Sequence, residues 1–207
     1  RRRVKRPRKK KDEAAQPAPY PNLLLIVPFP HAPNVIWVSD FTHIRWKNRW
    51  IYLATIMDVY TREVRGWHVL TNHQTELIQG AFTHAASEHP PSKILHSDQG
   101  SEYTSEEYTG RVERRSILIS MSRKSSPWEN GYQESFYSEF KVDLGDPNRF
   151  SELGELIAEI HRTINIYNRS RIHTKLKMPP AEFARKHYEN QSNHIVKKSK
   201  IPVYKRV

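Results

Sequence analysis

The chain predicts an α/β domain in which a mixed β-sheet is covered by helices. Three consecutive segments rich in β-branched and aromatic residues, joined by short polar links, read as hairpin-connected strands. After them helical and strand-like segments alternate, the pattern of helices packed over a sheet. With 207 residues, 37 % of them hydrophobic, the chain is long enough for one domain with a two-layer or three-layer core.

Taken in order, residues 1–22 combine basic residues, Ala and Pro and read as an extended linker without a core of its own. LLLIVPF (23–29) reads as a short arm packed on the domain. The strands follow: NVIWVSDFTHI (34–44), WIYLATIMDV (50–59) and EVRGWHVL (63–70), with WKNR and YTR near the turns. TELIQGAFTHAASEH (75–89) places Leu77, Ile78, Ala81 and Ala85 at helical spacing and is ended by HPP. KILHS (93–97) reads as a buried strand, SEEYTGRVER (105–114) as a helix, SILISM (116–121) as a strand and ENGYQESFYSEFKVDL (129–144) as a helix. A last long helix is predicted from about Phe150 to Asn168, with an apolar stripe through Leu153, Leu156, Ile157, Ile160, Ile164 and Tyr167. The expected core spans 23–185, and 186–207 forms a basic tail.

Charge is unevenly placed. Of 34 basic residues, nine lie in 1–11 and five in 192–207, where there is no acidic residue, leaving 20 against 22 acidic ones in 12–191. Basic ends of this kind suit phosphate contacts with a polyanion, and equally suit a solvated linker. The absence of Cys excludes disulfides, thiol catalysis and Cys-ligated zinc. No run approaches the roughly 20 apolar residues needed to cross a bilayer, so no membrane partner is expected. The chain opens on RRR without Met, as a piece of a longer protein would.

Three carboxylates stand out. Asp40 interrupts the apolar run VIWVSDFTHI, and Asp98 ends KILHS before Gly and small polar residues. Glu134 lies between aromatic residues; with Tyr132, Phe136 and Phe140 facing the sheet, it shares the opposite side with Asn130, Tyr137 and Lys141. An ordinary turn aspartate and an ordinary surface glutamate fit these places too. Together, though, two or three carboxylates are what hard cations such as Mg²⁺ require, and paired ions about 3.5–4 Å apart serve displacement at phosphorus.

These residues lie in stretches that resemble a known family. WVSDFTHI, YLATIMDVYTREVRGW, HSDQGSEYTS, SRKSSPWENGYQESFYSEFK and YNRSRIHTKLKMPPAEF, in unbroken order over roughly residues 20–185, resemble the retroviral-integrase-like transposases of bacterial insertion sequences. Asp40, Asp98 and Glu134 fall on that family's aspartate–aspartate–glutamate triad, with 35 residues between the second and third. The resemblance implies a ribonuclease-H-like fold: a five-stranded mixed sheet with Asp40 on the first strand, Asp98 just after the fourth and Glu134 on a later helix. It implies a polynucleotidyl transferase using two Mg²⁺ or Mn²⁺ ions, with element ends and target DNA as partners and a homodimer or higher oligomer as the working form. An upstream helix-turn-helix region is expected in the full-length protein, and the bacterial cytoplasm, at the nucleoid when active, as its location. A ribonuclease-H-type nuclease or a non-catalytic DNA-binding or assembly module could use the same scaffold.

Around the triad, Thr42, His96, Gln99, Gly100 and Asn130 are candidates for site support. Asp58 and Glu102 are better read as a turn former and a helix N-terminal charge. DNA contacts are expected from Arg123, Lys124, Lys141, Arg169, Arg171 and Lys175, with Lys141 two turns beyond Glu134 on one face.

Overall fold

The computed structural model describes residues 18–123 and 131–199, with side chains as far as residue 192 in the last helix. Strands β1 (Ile36–Trp46), β2 (Arg49–Asp58) and β3 (Val64–Leu70) form an antiparallel meander. Helix α1 (Thr75–Glu88) leads to β4 (Ile94–Ser97), which pairs in parallel with β1. Helices α2 (Ser101–Thr104) and α3 (Glu106–Glu113) lead to β5 (Leu118–Met121), parallel to β4. Then come α4 (Gly131–Leu144), α5 (Leu153–Arg169) and α6 (Pro180–Ser199). The sheet is five-stranded and mixed, in the order β3-β2-β1-β4-β5, with helices on both faces. This is the ribonuclease-H-like α/β architecture expected.

Strand alternation divides the core. Ile36, Val38, Leu53 and Met57 face Phe136, Phe140, Leu156 and Ile160 of α4 and α5. Trp37, Ala54 and Ile56 face Leu77, Ala81 and Phe82 of α1 and Tyr103 and Tyr108 of α2 and α3. The turn between β1 and β2 is made by Lys47 and Asn48, both with positive φ, as a two-residue hairpin between twisted strands requires. Asp58 closes the next turn. One of its oxygens accepts from Tyr60 N, Thr61 N and Thr61 Oγ1 (2.9, 2.8 and 3.1 Å), the other from Asn34 N (2.6 Å). Asp58 thus has the structural role read from its position.

The arm forms a 3₁₀ turn over Leu23–Leu25. Leu23, Leu24 and Val27 pack on the core, while Met121 N donates to Pro21 O (3.2 Å) along the edge of β5. Blunting an edge strand in this way keeps it from pairing with another chain.

Two features depart from expectation. The last predicted helix, α5, starts at Leu153 rather than Phe150, because Pro147–Arg149 forms a separate turn and a reciprocal Glu152–Glu155 capping box starts the helix. Beyond it, α6 is a helix that hydrophobic periodicity did not reveal, and it runs through position 185. Few of its residues are apolar. It docks by Phe183 and His187 on the Tyr60 ring, both at 5.2 Å between centroids, and carries Lys186–Glu182 and Arg185–Glu189 pairs along its exposed side (2.8 and 2.5 Å).

Gly66 sets the spacing between β3 and α1. A Cβ there would stand 2.4 Å from Ala81 O and 2.5 Å from Ala85 N, both backbone atoms. Helix α1 would have to withdraw from the sheet. Gly66→Ala is therefore expected to lose about 1–3 kcal/mol of stability, measured by urea unfolding; parent-like stability would show that α1 does not rest on β3 at this point.

Candidate functional site

The site begins where two strands part. Parallel pairing of β1 with β4 ends at Val38↔His96, while β1 continues beside β2 to Trp46. Asp40 lies two residues past the last β4 pair, and Asp98 directly follows the end of β4. A crevice at the carboxyl ends of parallel strands is where open α/β sheets take ligands.

Helix α4 is fastened over this point by buried hydrogen bonds. Gln133 Nε2 donates to Val38 O on β1 (2.8 Å) and Thr55 O on β2 (3.3 Å), and Thr55 Oγ1 donates to Gln133 Oε1 (2.9 Å). Tyr137 OH donates to the backbone oxygen of Asp40 itself (2.7 Å) and lies 2.8 Å from Thr55 Oγ1. Burial holds the Tyr137 phenol well above its ordinary pKa, so it remains a donor. Gln133 and Tyr137, one turn apart, fix the helix on which Glu134 is exposed. Phe136 and Phe140 face the sheet as expected, but Tyr137 is buried with them, not on the Glu134 side. Tyr132 stays half-buried at the margin. The buried face is turned toward Gln133 because its amide and the Tyr137 hydroxyl find partners on the sheet. A Thr inside the apolar run YLATIMD was the sequence signal for this network.

Asp40 is half-buried, whereas Asp98 and Glu134 are exposed. Burial pushes the Asp40 carboxyl up to about 7; a hydrogen bond from Phe41 N (2.8 Å) opposes this, and the charges of Asp98 and Glu134 add to the rise. The electrostatic coupling links all three predicted carboxylates. Among the described residues, no three His, Asp or Glu side chains stand together as a ready-made metal site.

The surroundings of Asp98 are specific. Its Oδ1 accepts from Gly100 N (2.9 Å), and a Cβ on Gly100 would come within 3.2 Å of that oxygen and 2.9 Å of Glu102 Oε2. Gln99 Nε2 donates to Ser122 O (2.9 Å), tying the loop after β4 to the end of β5. His96 is fully buried, with Nδ1 2.8 Å from Ser120 Oγ, the position of a packing residue. Thr42 is buried on the Asp40 face of β1. Glu102 sits in the first turn of α2 and pairs with His73 (2.7 Å). Asn130 lies outside the described residues, as does Lys124.

The remaining cations are dispersed. Lys141 is exposed in the last turn of α4, beside a hollow lined by His43, Arg45 and Trp50. Arg169 is exposed at the end of α5. Arg171 is engaged by two α4 carboxylates, Glu139 (3.3 Å) and Asp143, which clamp the loop after α5 to α4. Arg123 and Lys175 line a larger cavity on the neighbouring side of α4.

Comparison with known proteins places this arrangement. Models of the integrase core domain match residues 30–127 and 115–180. The transposase for insertion sequence element IS904 of Lactococcus lactis is 38 % identical over 159 residues, covering 75 % of this chain and 63 % of that protein. An uncharacterised 31 kDa protein of insertion element IS600 of Shigella sonnei is 37 % identical over 173 residues, 82 % of this chain and 64 % of its own. Transposase InsF for insertion sequence IS3A of Escherichia coli is 31 % identical over 145 residues, 69 % and 50 % of the two chains. The chain thus spans between half and two thirds of the length of these relatives. Among solved structures, the catalytic core domain of HTLV-2 integrase in complex with magnesium superposes with a TM-score of 0.63 at 18 % identity, covering 74 % of this chain and 98 % of that one. A chain of the simian T-cell lymphotropic virus intasome gives 0.69 at 17 %, covering 84 % and 60 %. At such identities the structures establish the fold. Among the described residues no helix is long and apolar enough to cross a membrane. The chain carries an integrase core domain and belongs to the integrase core family, with transposases of bacterial insertion sequences among its relatives.

Proposed function

We propose that this domain is the catalytic core of an insertion-sequence transposase, freeing a 3′-OH at the element's end and directing it onto a target phosphodiester. The observation that carries this reading is the electrostatic coupling of Asp40 to Asp98 and Glu134 within an integrase core domain. A carboxyl raised first by burial and further by two neighbouring carboxylates suits a hard divalent cation, whose charge offsets the repulsion. Asp40, Asp98 and Glu134 would hold Mg²⁺ or Mn²⁺, as one ion or two, and the metal would supply Lewis acidity at phosphorus.

The chain's own residues do the positioning. Gln133 and Tyr137 hold α4 against β1 and β2, and Gly100 leaves room for Asp98 beside the strand end. Rigid placement of this kind is what phosphoryl transfer requires of a protein. Lys141, Arg169 and Lys175, exposed on α4, at the end of α5 and in the following loop, are assigned to DNA phosphates, as are Arg123 and Lys124. Arg171 supports the DNA face through α4. Recognition of the element's ends falls to the part of the relatives' length that this chain does not span, with assembly as a dimer or higher oligomer, in the bacterial cytoplasm where the DNA lies.

Three outcomes test this reading in the full-length protein. Glu134→Gln is expected to abolish cleavage and strand joining, with Mg²⁺ or Mn²⁺, while DNA binding persists; joining at the parent rate would sink the three-carboxylate mechanism. Lys141→Ala should weaken DNA binding and reduce its salt slope by roughly 0.9, with Mg²⁺ binding unchanged in calorimetric titration; an undiminished slope would remove Lys141 from the DNA face. The third concerns pH. Because the folded pKa of Asp40 is raised to about 7, proton and cation compete there, so Mg²⁺ affinity should climb as pH rises through that value and level off above it. Asp40→Asn should flatten the profile; a parent profile already flat between about pH 6 and 8 would contradict Asp40 as a ligand.

A further inference from the structure

The cavity beside α4, about 610 Å³ in volume, does not include the three carboxylates in its wall. Among the described residues its wall holds three cations, Arg62, Arg123 and Lys175, against one acid, Glu139, which is already engaged by Arg171 at 3.3 Å. Arg62 is the unusual member. It sits in the turn between β2 and β3 with φ 63° and is only 7 % exposed. Its backbone is committed, its N–H donating to Asp58 O (2.8 Å) and its carbonyl accepting from Tyr167 OH (3.0 Å). Its guanidinium lies 4.1 Å from the centroid of the Tyr132 ring. Among the described residues that guanidinium makes no hydrogen bond and no ion pair.

A largely buried cation that opens on a cavity, with no counter-charge among the described residues, gains from one supplied there, because ring contacts offset only part of the cost of its burial. The planar fork of Arg matches the oxygens of a phosphate. Gly131, the first described residue of α4, also lines the cavity. His173 on the same wall is held below its ordinary pKa by burial and then by the charge of Arg62, with Lys175 adding to the effect and Glu139 opposing it. Positive charge is in excess there, and Tyr132 offers a flat surface beside it.

We propose that this cavity is a phosphate subsite, in which Arg62, with Lys175 at the rim, pairs a backbone phosphate of the DNA strand and Tyr132 packs under the adjoining nucleotide. The source is DNA rather than a free nucleotide because the cavity shares α4 with one of the three carboxylates: Ser135 in its wall directly follows Glu134. A strand reacting at the carboxylates would run past this opening. The subsite therefore rests on the DNA-joining reading and adds a contact to it.

The experiment uses full-length protein and a labelled duplex ending in the element's terminal sequence, with binding read by anisotropy across a salt series. Arg62→Gln is expected to weaken binding about tenfold or more, in line with loss of a charge-assisted hydrogen bond, and to lower the salt slope by roughly 0.9; Arg62→Lys should restore the slope. Thermal melts check the fold, and if Arg62→Gln melts early, the exposed Lys175→Gln carries the same test. Inorganic phosphate and deoxyadenosine monophosphate are titrated in parallel. If either raises the melting temperature of the parent and not of Arg62→Gln, while DNA affinity and slope are equal in both, the cavity serves a free anion and the DNA subsite is overturned. It is overturned too if the parent joins DNA ends and the variants bind DNA as the parent does. Failure of the parent to join DNA would instead strike the reading on which the subsite rests.

Discussion

The seam between α4 and the β1–β2 hairpin governs the rest of this structure. Its buried polar groups satisfy one another: an amide and a phenol engage backbone oxygens of Val38, Asp40 and Thr55, and the Thr55 hydroxyl meets both of those side chains. A network in a low-dielectric interior specifies one arrangement, because any slip of the helix leaves polar atoms buried without partners. Apolar contacts of Phe136 and Phe140 attach the helix but would tolerate sliding. The hydrogen bonds set its register, and with it the place of Glu134. Since Tyr137 bonds the backbone of Asp40, one side chain couples two of the three carboxylates mechanically.

The charge arrangement explains why these groups belong to different elements. A carboxylate held half-buried near two others is unfavourable for the free domain. Distributing them over a strand, a strand end and a helix lets each element be stabilised by its own apolar face, so the repulsion is borne by the whole core. The exposure of Asp98 and Glu134 keeps two of the groups hydrated, and burial weighs chiefly on Asp40.

Much of this was legible in the chain. Alternation of β-branched and aromatic residues located the meander, and WKNR located a turn whose two central residues adopt positive φ. Asp58 could be read as a turn former because it precedes YTR. Other features resist a one-dimensional reading. Gln133 is polar, and a polar residue in a helix reads as surface unless its partners, 78 and 95 residues away, are known. Tyr137 was assigned to the wrong face for the same reason. Helix α6 carries too few apolar residues to show a stripe, since Phe183, Ala184 and His187 suffice to dock it. Arg62 looks like any charged turn residue; its burial follows only from the meeting of the β2–β3 turn with α4 and α5.

The short parallel ladder between β1 and β4, three residue pairs long, has a consequence for how the molecule is made. The meander of β1, β2 and β3 joins neighbours in sequence and needs little loop closure to form. Addition of β4 and then of α4 closes much longer loops, so these steps come late. As the chain leaves the ribosome, Asp40 is in place on its strand long before Gln133 and Tyr137 emerge. The order of closure therefore implies a stage at which most of the sheet exists and the helix that carries Glu134 has not yet docked. Synthesis itself keeps Glu134 away from Asp40 until Gln133 and Tyr137 can lock the helix down.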